Sequence, residues 1–136
     1  MLPHSKSCAL LSRLSEGDLS HNLGGDWTVA SSLAHLAYYD FRAAAAVDRW
    51  RGEGELAPFP LDAELDNAAL EKLLLAIPRK KAVQLALEAA ETADSRIASL
   101  TDDQLVRIAA VNQSVNMFRS EHRREHIEQI TIALKT

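Results

Sequence analysis

Two histidines near the C-terminal end of the chain carry its clearest chemical signal. His122 and His126 stand four residues apart in Ser-Glu-His-Arg-Arg-Glu-His-Ile-Glu, so on a helix their side chains lie about one turn apart on the same face. A third imidazole, His35, lies far upstream in a strongly helical stretch. If the two helices pack together, all three histidines can bind one divalent ion. Three protein ligands leave a coordination position open, which indicates chemistry rather than bracing alone.

Each histidine taken alone has a simpler explanation as a core residue with a hydrogen-bond partner. Two buried neutral imidazoles side by side each need such a partner, however, and a shared cation supplies one. On a helical wheel His122 and His126 face the core, whereas Glu121 and Glu125 fall at the polar margin. These two glutamates are therefore predicted to lie on a solvated face, outside any metal site.

Three further side chains are candidates for binding a substrate. Arg42 and Arg119 lie close to the histidines on their helical wheels, where they could pair with an anionic substrate or a cofactor carboxylate. Ion pairing on the helix surface is the more common role of such arginines. Tyr39, one turn from His35, could orient a bound group, or serve as a core or dimer-contact tyrosine.

Composition limits the class of protein. A chain of 136 residues that is 47% hydrophobic is long enough for one domain over residues 1–136 and too short for two. Only five glycines and four prolines favour an all-α fold. A net charge of −4 argues against nucleic acid as a partner. No apolar run approaches the roughly 20 residues of a membrane span, and Cys8 has no second cysteine to pair with. We expect a soluble cytoplasmic protein without a membrane partner.

Turn and capping residues divide the first half of the chain. A short first helix is predicted from about Ser5 to Ser15, followed by a loop over Asn22–Asp26. Asp26 or Thr28 can then cap a long helix that carries His35 and reaches about Arg51.

The second half is predicted to hold four helical segments after an irregular connector at Gly52–Pro60. A short helix is expected around Ala68–Leu75, and a long helix, the third main helix of the fold, over about Arg79–Leu100, with an inward stripe of Val83, Leu87, Ala90 and Ile97. The Thr101–Gln104 segment predicts a new capped helix start, and a last helix is expected from about Gln113 to Leu134.

Two motifs resemble a known superfamily. The segment Gly-Asp-Trp-Thr-Val-Ala-Ser-Ser-Leu-Ala-His-Leu-Ala, followed some way downstream by His-Arg-Arg-Glu-His-Ile-Glu-Gln-Ile, resembles the DinB/YfiT-like superfamily. It looks close to the branch that includes the N-terminal domain of mycothiol-dependent maleylpyruvate isomerase. The resemblance implies a four-helix bundle with up-down-down-up connectivity, a long crossover between helices 2 and 3, and a divalent metal on His35, His122 and His126.

The resemblance leaves the activity divided between metal-dependent hydrolases and thiol-dependent transferases or isomerases. In either case a cation, zinc or nickel in the first place, would activate a water or a low-molecular-weight thiol against a small-molecule substrate. The alternative is a non-catalytic stress-associated or interaction protein with a structural or vestigial site, since the sequence indicates no general base besides the ligands.

Self-association is also expected. The first helix is short relative to the superfamily, and apolar side chains there, namely Leu10, Leu11 and Leu14, are predicted to be partly uncovered. Burial of this surface between two copies predicts a homodimer.

Overall fold

The computed structural model describes residues 9–53, 62–111 and 119–135. Residues 9–12 are helical and precede the elements that we label in chain order: α1 (Glu16–Leu19), β1 (Asn22–Gly24), β2 (Trp27–Thr28), α2 (Val29–Glu53), α3 (Ala63–Leu75), α4 (Arg79–Ala98), α5 (Asp102–Val111) and α6 (Arg119–Lys135). The protein is mostly helical, with several long packed helices, as its composition predicts. None of the described helices is both long and apolar enough to cross a membrane.

The segment Asn22–Asp26 is not the plain loop that its glycines predict. It belongs to a small antiparallel hairpin in which Gly24 pairs with Trp27 and Asn22 with Thr28. Gly24 and Gly25 take positive φ values of 130° and 55°, which side chains with a Cβ rarely adopt. Asn22 closes the turn, because its side chain donates to the Gly25 carbonyl and accepts from the Gly24 amide, both at 2.8 Å.

The long helix α2 begins where the capping analysis placed it. The Thr28 hydroxyl accepts from the Ser31 amide at 3.1 Å, and Ser31 Oγ accepts from the Thr28 amide at 2.9 Å. Of the two predicted caps, Thr28 is therefore the one used. Thr101 and Gln104 form the same reciprocal arrangement at the start of α5, with distances of 3.1 and 2.9 Å.

The helix α3 begins five residues before its predicted start at Ala68. Asp62 accepts from the Leu65 amide at 3.0 Å and so caps the helix ahead of Ala63. The predicted connector at Gly52–Pro60 lies largely outside the described residues, although Gly52 itself is helical. Residues 5–8 of the predicted first helix and residues 113–118 of the predicted last helix also lie outside them.

The core is built mainly where α2 packs against α4. Of the inward stripe predicted on α4, Ala90 is buried, and Val83 and Leu87 are partly buried and pack against the core. Ile97 is only partly covered. The buried side chains of α4 are all small, since a close helix pair buries its smallest side chains at the contact, namely Ala82, Ala86, Ala89, Ala90 and Ala93. Leu11, expected to be partly uncovered, is 5% exposed and belongs to the core.

A larger side chain in this alanine stripe should be poorly tolerated. Ala93 is fully buried, so Ala93→Leu is expected to cost about 1–3 kcal/mol of unfolding free energy by overpacking. Ala45→Leu, on the exposed side of α2, should change it by less than about 0.5 kcal/mol. Urea denaturation measures both, and equal costs would contradict this packing.

Candidate metal centre

The three predicted histidines come together between two helices. His35 lies on α2, and His122 and His126 lie on α6. Each offers one nitrogen, and the three nitrogens lie within 4.8 Å of one another. The ring centroids of His35 and His126 are 5.0 Å apart, and those of His122 and His126 are 4.8 Å apart. This cluster could hold a metal ion.

The spacing of the nitrogens compares well with that of a bound ion. Two ligand nitrogens on a tetrahedral zinc lie about 3.3 Å apart, given Zn–N bonds of about 2.0–2.1 Å. The pairs in this cluster exceed that separation by no more than about 1.5 Å. Small rotations of side chains on a rigid pair of helices cover such a difference.

Burial keeps the three imidazoles neutral. It lowers the pKa of His35 to about 4, and the neighbouring His126, His122 and Arg119 act in the same direction. It also lowers the pKa of His122 to about 4, together with the positive charge of Arg119. The pKa of His126 is lowered by burial as well, although the carboxylate of Glu125 opposes the shift. Neutral imidazole is the form that binds a metal.

One ring nitrogen lacks a hydrogen-bond partner. His35 Nδ1 is buried and, within the described part of the chain, no group donates to it or accepts from it. A buried polar atom without a partner costs about 1–3 kcal/mol, so such an atom in a cluster of three histidines calls for a ligand. A cation that completes this histidine set therefore fits the residues present.

The other two rings are held by neighbouring side chains. Ser32 Oγ lies 3.4 Å from His126 Nδ1. Arg119 Nη2 lies 3.1 Å from His122 Nδ1, and a guanidinium can only donate. The Nδ1 atom of neutral His122 is therefore the acceptor of this bond, and its proton resides on Nε2.

A cluster of buried ion pairs next to the histidines supports their arrangement. Asp40 on α2 is 1% exposed, and its two oxygens accept from Arg119 Nε at 2.7 Å and from Arg123 Nε at 2.9 Å. Arg123 also makes two bonds to Asp94 on α4, at 2.7 and 3.0 Å. These contacts raise the pKa of Arg123 against the opposing effect of burial. Asp40 thus ties the first turns of α6 to the helix that carries His35.

Sequence reasoning missed this cluster. It considered Arg119 as a candidate for substrate binding or surface pairing and assigned no role to Arg123, yet Arg119 and Arg123 are both buried, at 6% and 9% exposure. The usable signal was the four-residue spacing of the two arginines beside the histidine pair. Glu121 and Glu125 are exposed, as predicted.

The remaining predicted site residues lie at one side of the cluster. The ring centroid of Tyr39 is 4.9 Å from that of His35, and its hydroxyl donates to Asn67 Oδ1 at 2.8 Å. Burial raises the pKa of Tyr39, with the carboxylate of Asp66 acting in the same direction and the half-buried Arg42 opposing it. The substrate-binding role of Tyr39, Arg42 and Arg119 stays a prediction.

A pocket of about 450 Å³ opens beside the histidines. Its described lining combines two of the cluster histidines with apolar, hydroxyl and amide groups, namely Leu23, Gly24, Trp27, Ser32, His35, Asn67, His126 and Gln129. The β-hairpin supplies the first three, and α3 supplies Asn67. The hairpin and α3, whose bounds sequence analysis misplaced, therefore form part of the pocket wall. A small molecule in the pocket would contact His35 and His126.

Comparisons of the chain with protein-family models, with curated proteins and with solved structures give no significant match. The site is therefore interpreted on its own geometry.

The lowered pKa values predict acid lability of the metal-free protein. The unfolded chain takes up protons on its histidines near pH 6.5, whereas His35 and His122 in the folded protein do so only near pH 4. Between pH 6.5 and pH 4 the unfolded state therefore binds more protons than the folded state. The stability that these two histidines contribute is fully present above pH 6.5 and is lost as the pH falls towards 4. We expect the melting temperature after chelator treatment to fall by at least about 5 °C between pH 7.5 and pH 5. His35→Leu should reduce that fall, and an unchanged pH profile in this variant would contradict the assignment.

Removal of the Asp40 charge should be far more harmful than removal of an exposed carboxylate on the same helix. Asp40→Asn leaves two buried guanidinium groups without their shared anion and is expected to cost about 3–5 kcal/mol. Asp48 pairs with Arg96, but both are at least 40% exposed, so Asp48→Asn should cost less than about 1 kcal/mol. Urea denaturation at pH 7.5 compares the two, and similar losses would show that the buried cluster is not a structural tie.

Proposed function

We propose that the protein is a small metal-dependent enzyme whose divalent ion is held by His35, His122 and His126. The observation that carries the proposal is the convergence of three neutral imidazoles within 4.8 Å, one of them with a buried nitrogen that has no partner among the described residues. A purely structural packing of histidines would pair each buried polar atom with a protein group.

The chemistry proposed is the activation of a water or a low-molecular-weight thiol. A divalent cation with an open coordination position lowers the pKa of such a group and polarises a substrate oxygen. Zinc and nickel both suit imidazole ligands, and imidazole ligation alone does not choose between them. The class of reaction is then hydrolysis, or a transfer or isomerisation that uses the thiol.

The residues around the histidines have separate roles in this proposal. Ser32 orients His126 through its Nδ1 atom, which leaves the other ring nitrogen for the ion. Asp40 holds the Arg119 guanidinium, and in the metal-free protein Arg119 donates to His122 Nδ1. Trp27, on the hairpin, lies edge-on to the His35 ring at 5.7 Å and covers it on the pocket side.

Metal uptake through His122 requires an exchange of partners. If His122 held the ion through Nδ1, that atom could no longer accept from Arg119; if it held the ion through Nε2, the imidazole proton would reside on Nδ1, facing the Arg119 donor. In both cases the bond between Arg119 and His122 is given up. Arg119 keeps its ion pair with Asp40, so the arginine does not lose its buried counter-charge.

The proposal extends to the fold. A histidine on a long helix near the start of the chain and a histidine pair on the last helix are what a DinB/YfiT-like four-helix bundle with up-down-down-up connectivity would supply. The described helices packed around α2 and the pocket beside the cluster support membership of that superfamily, and a homodimer is proposed with it.

A non-catalytic protein with a structural metal site is the second candidate. It is favoured by one observation: no carboxylate belongs to the described residues that line the pocket, so a general base other than the histidines is lacking there. A structural site would contribute a large part of the folding free energy, whereas a catalytic one tolerates loss of the ion.

Metal binding tests the proposal. The untagged, chelator-treated protein should take up one zinc or nickel ion per chain in calorimetric titration, and His35→Ala, His122→Ala or His126→Ala should each weaken binding at least about 100-fold, because two imidazoles remain. His21→Ala is the matched control, since His21 is exposed and outside the cluster, and should bind like the parent protein.

Thermal melting of the same samples separates the two candidates. A catalytic site predicts a folded metal-free protein whose melting temperature rises on loading according to the ratio of metal concentration to Kd. Failure of the folded, untagged protein to take up a divalent ion would overturn the metal site, and unfolding on metal removal would favour the structural role.

A further inference from the structure

The pocket beside the histidines has a selective lining. Apart from the imidazoles of His35 and His126, its described lining residues carry no ionisable side chain. Arg42 and Arg119 are not among them, and Arg119 is buried against Asp40. In the metal-free protein a charged ligand group in this pocket would lose hydration without gaining an opposite charge from these residues, which is costly. The described side chains of the lining, taken by themselves, therefore favour uncharged ligands.

Asn67 brings a primary amide to the wall of this pocket. Its Oδ1 atom accepts from the Tyr39 hydroxyl at 2.8 Å, so the Nδ2 group is the end of the amide that can donate. The Nδ2 group donates to no described residue, although Asn67 lines the pocket. The Tyr39 hydroxyl thus orients the amide, so that its two N–H bonds remain available to a ligand.

The hairpin supplies the apolar part of the pocket wall. Leu23 and Trp27 contribute apolar surface to the pocket and are half-buried. A volume of about 450 Å³ falls within the range of about 300–1,000 Å³ that holds small organic ligands. Such a site accommodates a compact molecule with an apolar group at one end and a hydrogen-bond acceptor at the other.

From these features we infer that the pocket binds small uncharged molecules with a carbonyl-type acceptor, of the ester, amide or lactone class, and that Asn67 Nδ2 is the residue that recognises the acceptor. The inference deepens the proposed function, on which it rests, because it names the substrate class of the same site. Binding by Asn67 and the pocket wall is a property of the chain itself and is measurable without a metal.

Three probes that share a phenyl ring but differ in charge test the inference: phenylacetamide, phenylacetate and 2-phenylethylamine. Binding is measured by ligand-observed NMR on the full chain after chelator treatment at pH 7.5. Phenylacetamide is expected to bind at least about tenfold more tightly than either charged probe, which corresponds to about 1.4 kcal/mol. Equal or tighter binding of phenylacetate, or no detectable binding of phenylacetamide, would overturn the inference.

Asn67→Asp tests the residue. The new carboxylate still accepts from Tyr39 but has no N–H to donate, so the dissociation constant for phenylacetamide should rise about three- to tenfold. Gln84→Glu makes the same amide-to-acid change at an exposed position of α4 and should leave it unchanged. If Asn67→Asp does not fold, Tyr39→Phe removes the bond that orients the amide and should weaken binding at least about twofold. Unchanged affinity in a folded Asn67→Asp or Tyr39→Phe protein contradicts the assigned role.

Failure of this inference can be distinguished from failure of the metal site, because probe binding and metal uptake are measured separately. Selective, Asn67-dependent binding of phenylacetamide together with a folded protein that takes up no divalent ion would overturn the proposed function and support the specificity of the pocket. Metal uptake without selectivity for phenylacetamide would support the metal site and overturn the inference.

Discussion

The site depends on one buried carboxylate. Asp40 is 1% exposed and shares its two oxygens between Arg119 and Arg123, so one carboxylate of α2 pairs with two cations of α6, and Asp94 on α4 supplies Arg123 with a second anion. Charged groups are rarely buried unless each is paired and its hydrogen bonds are satisfied. A register shift of α6 along α2 would leave these charges unpaired. The same pairing that satisfies the arginines therefore holds His122 and His126 at the level of His35.

This constraint explains why the cluster can be well placed and still incomplete. The hydrogen bond from Arg119 to His122 satisfies one ring, and Ser32 lies beside a second, but His35 Nδ1 is buried without a partner among the described residues. The unpaired His35 Nδ1 atom thus contributes unfavourably to the free energy of folding at the position where a ligand would bind. Structural histidines in a core, in contrast, are expected to be paired.

Sequence reasoning reached the parts of the molecule that depend on local periodicity. The spacing of His122 and His126 and the capping residues Thr28 and Thr101 could be interpreted from a few neighbours, and the structure confirms the caps and the convergence of the histidines. What could not be predicted depends on partners distant in sequence. The burial of Arg123 depends on Asp40 and Asp94 on two other helices, and no local pattern reports such a match.

The errors also have a common cause near the site. The hairpin was taken as a loop because of its paired glycines, and α3 was started late because Asp62 was not recognised as its cap. Both elements are short and gain stability mainly from their contacts with α2, so their own propensities are weak guides. Yet they supply Trp27 and Asn67 to the pocket wall. In this protein the helices that periodicity predicts position the histidines, and the two elements whose bounds it misplaced supply part of the pocket wall beside them.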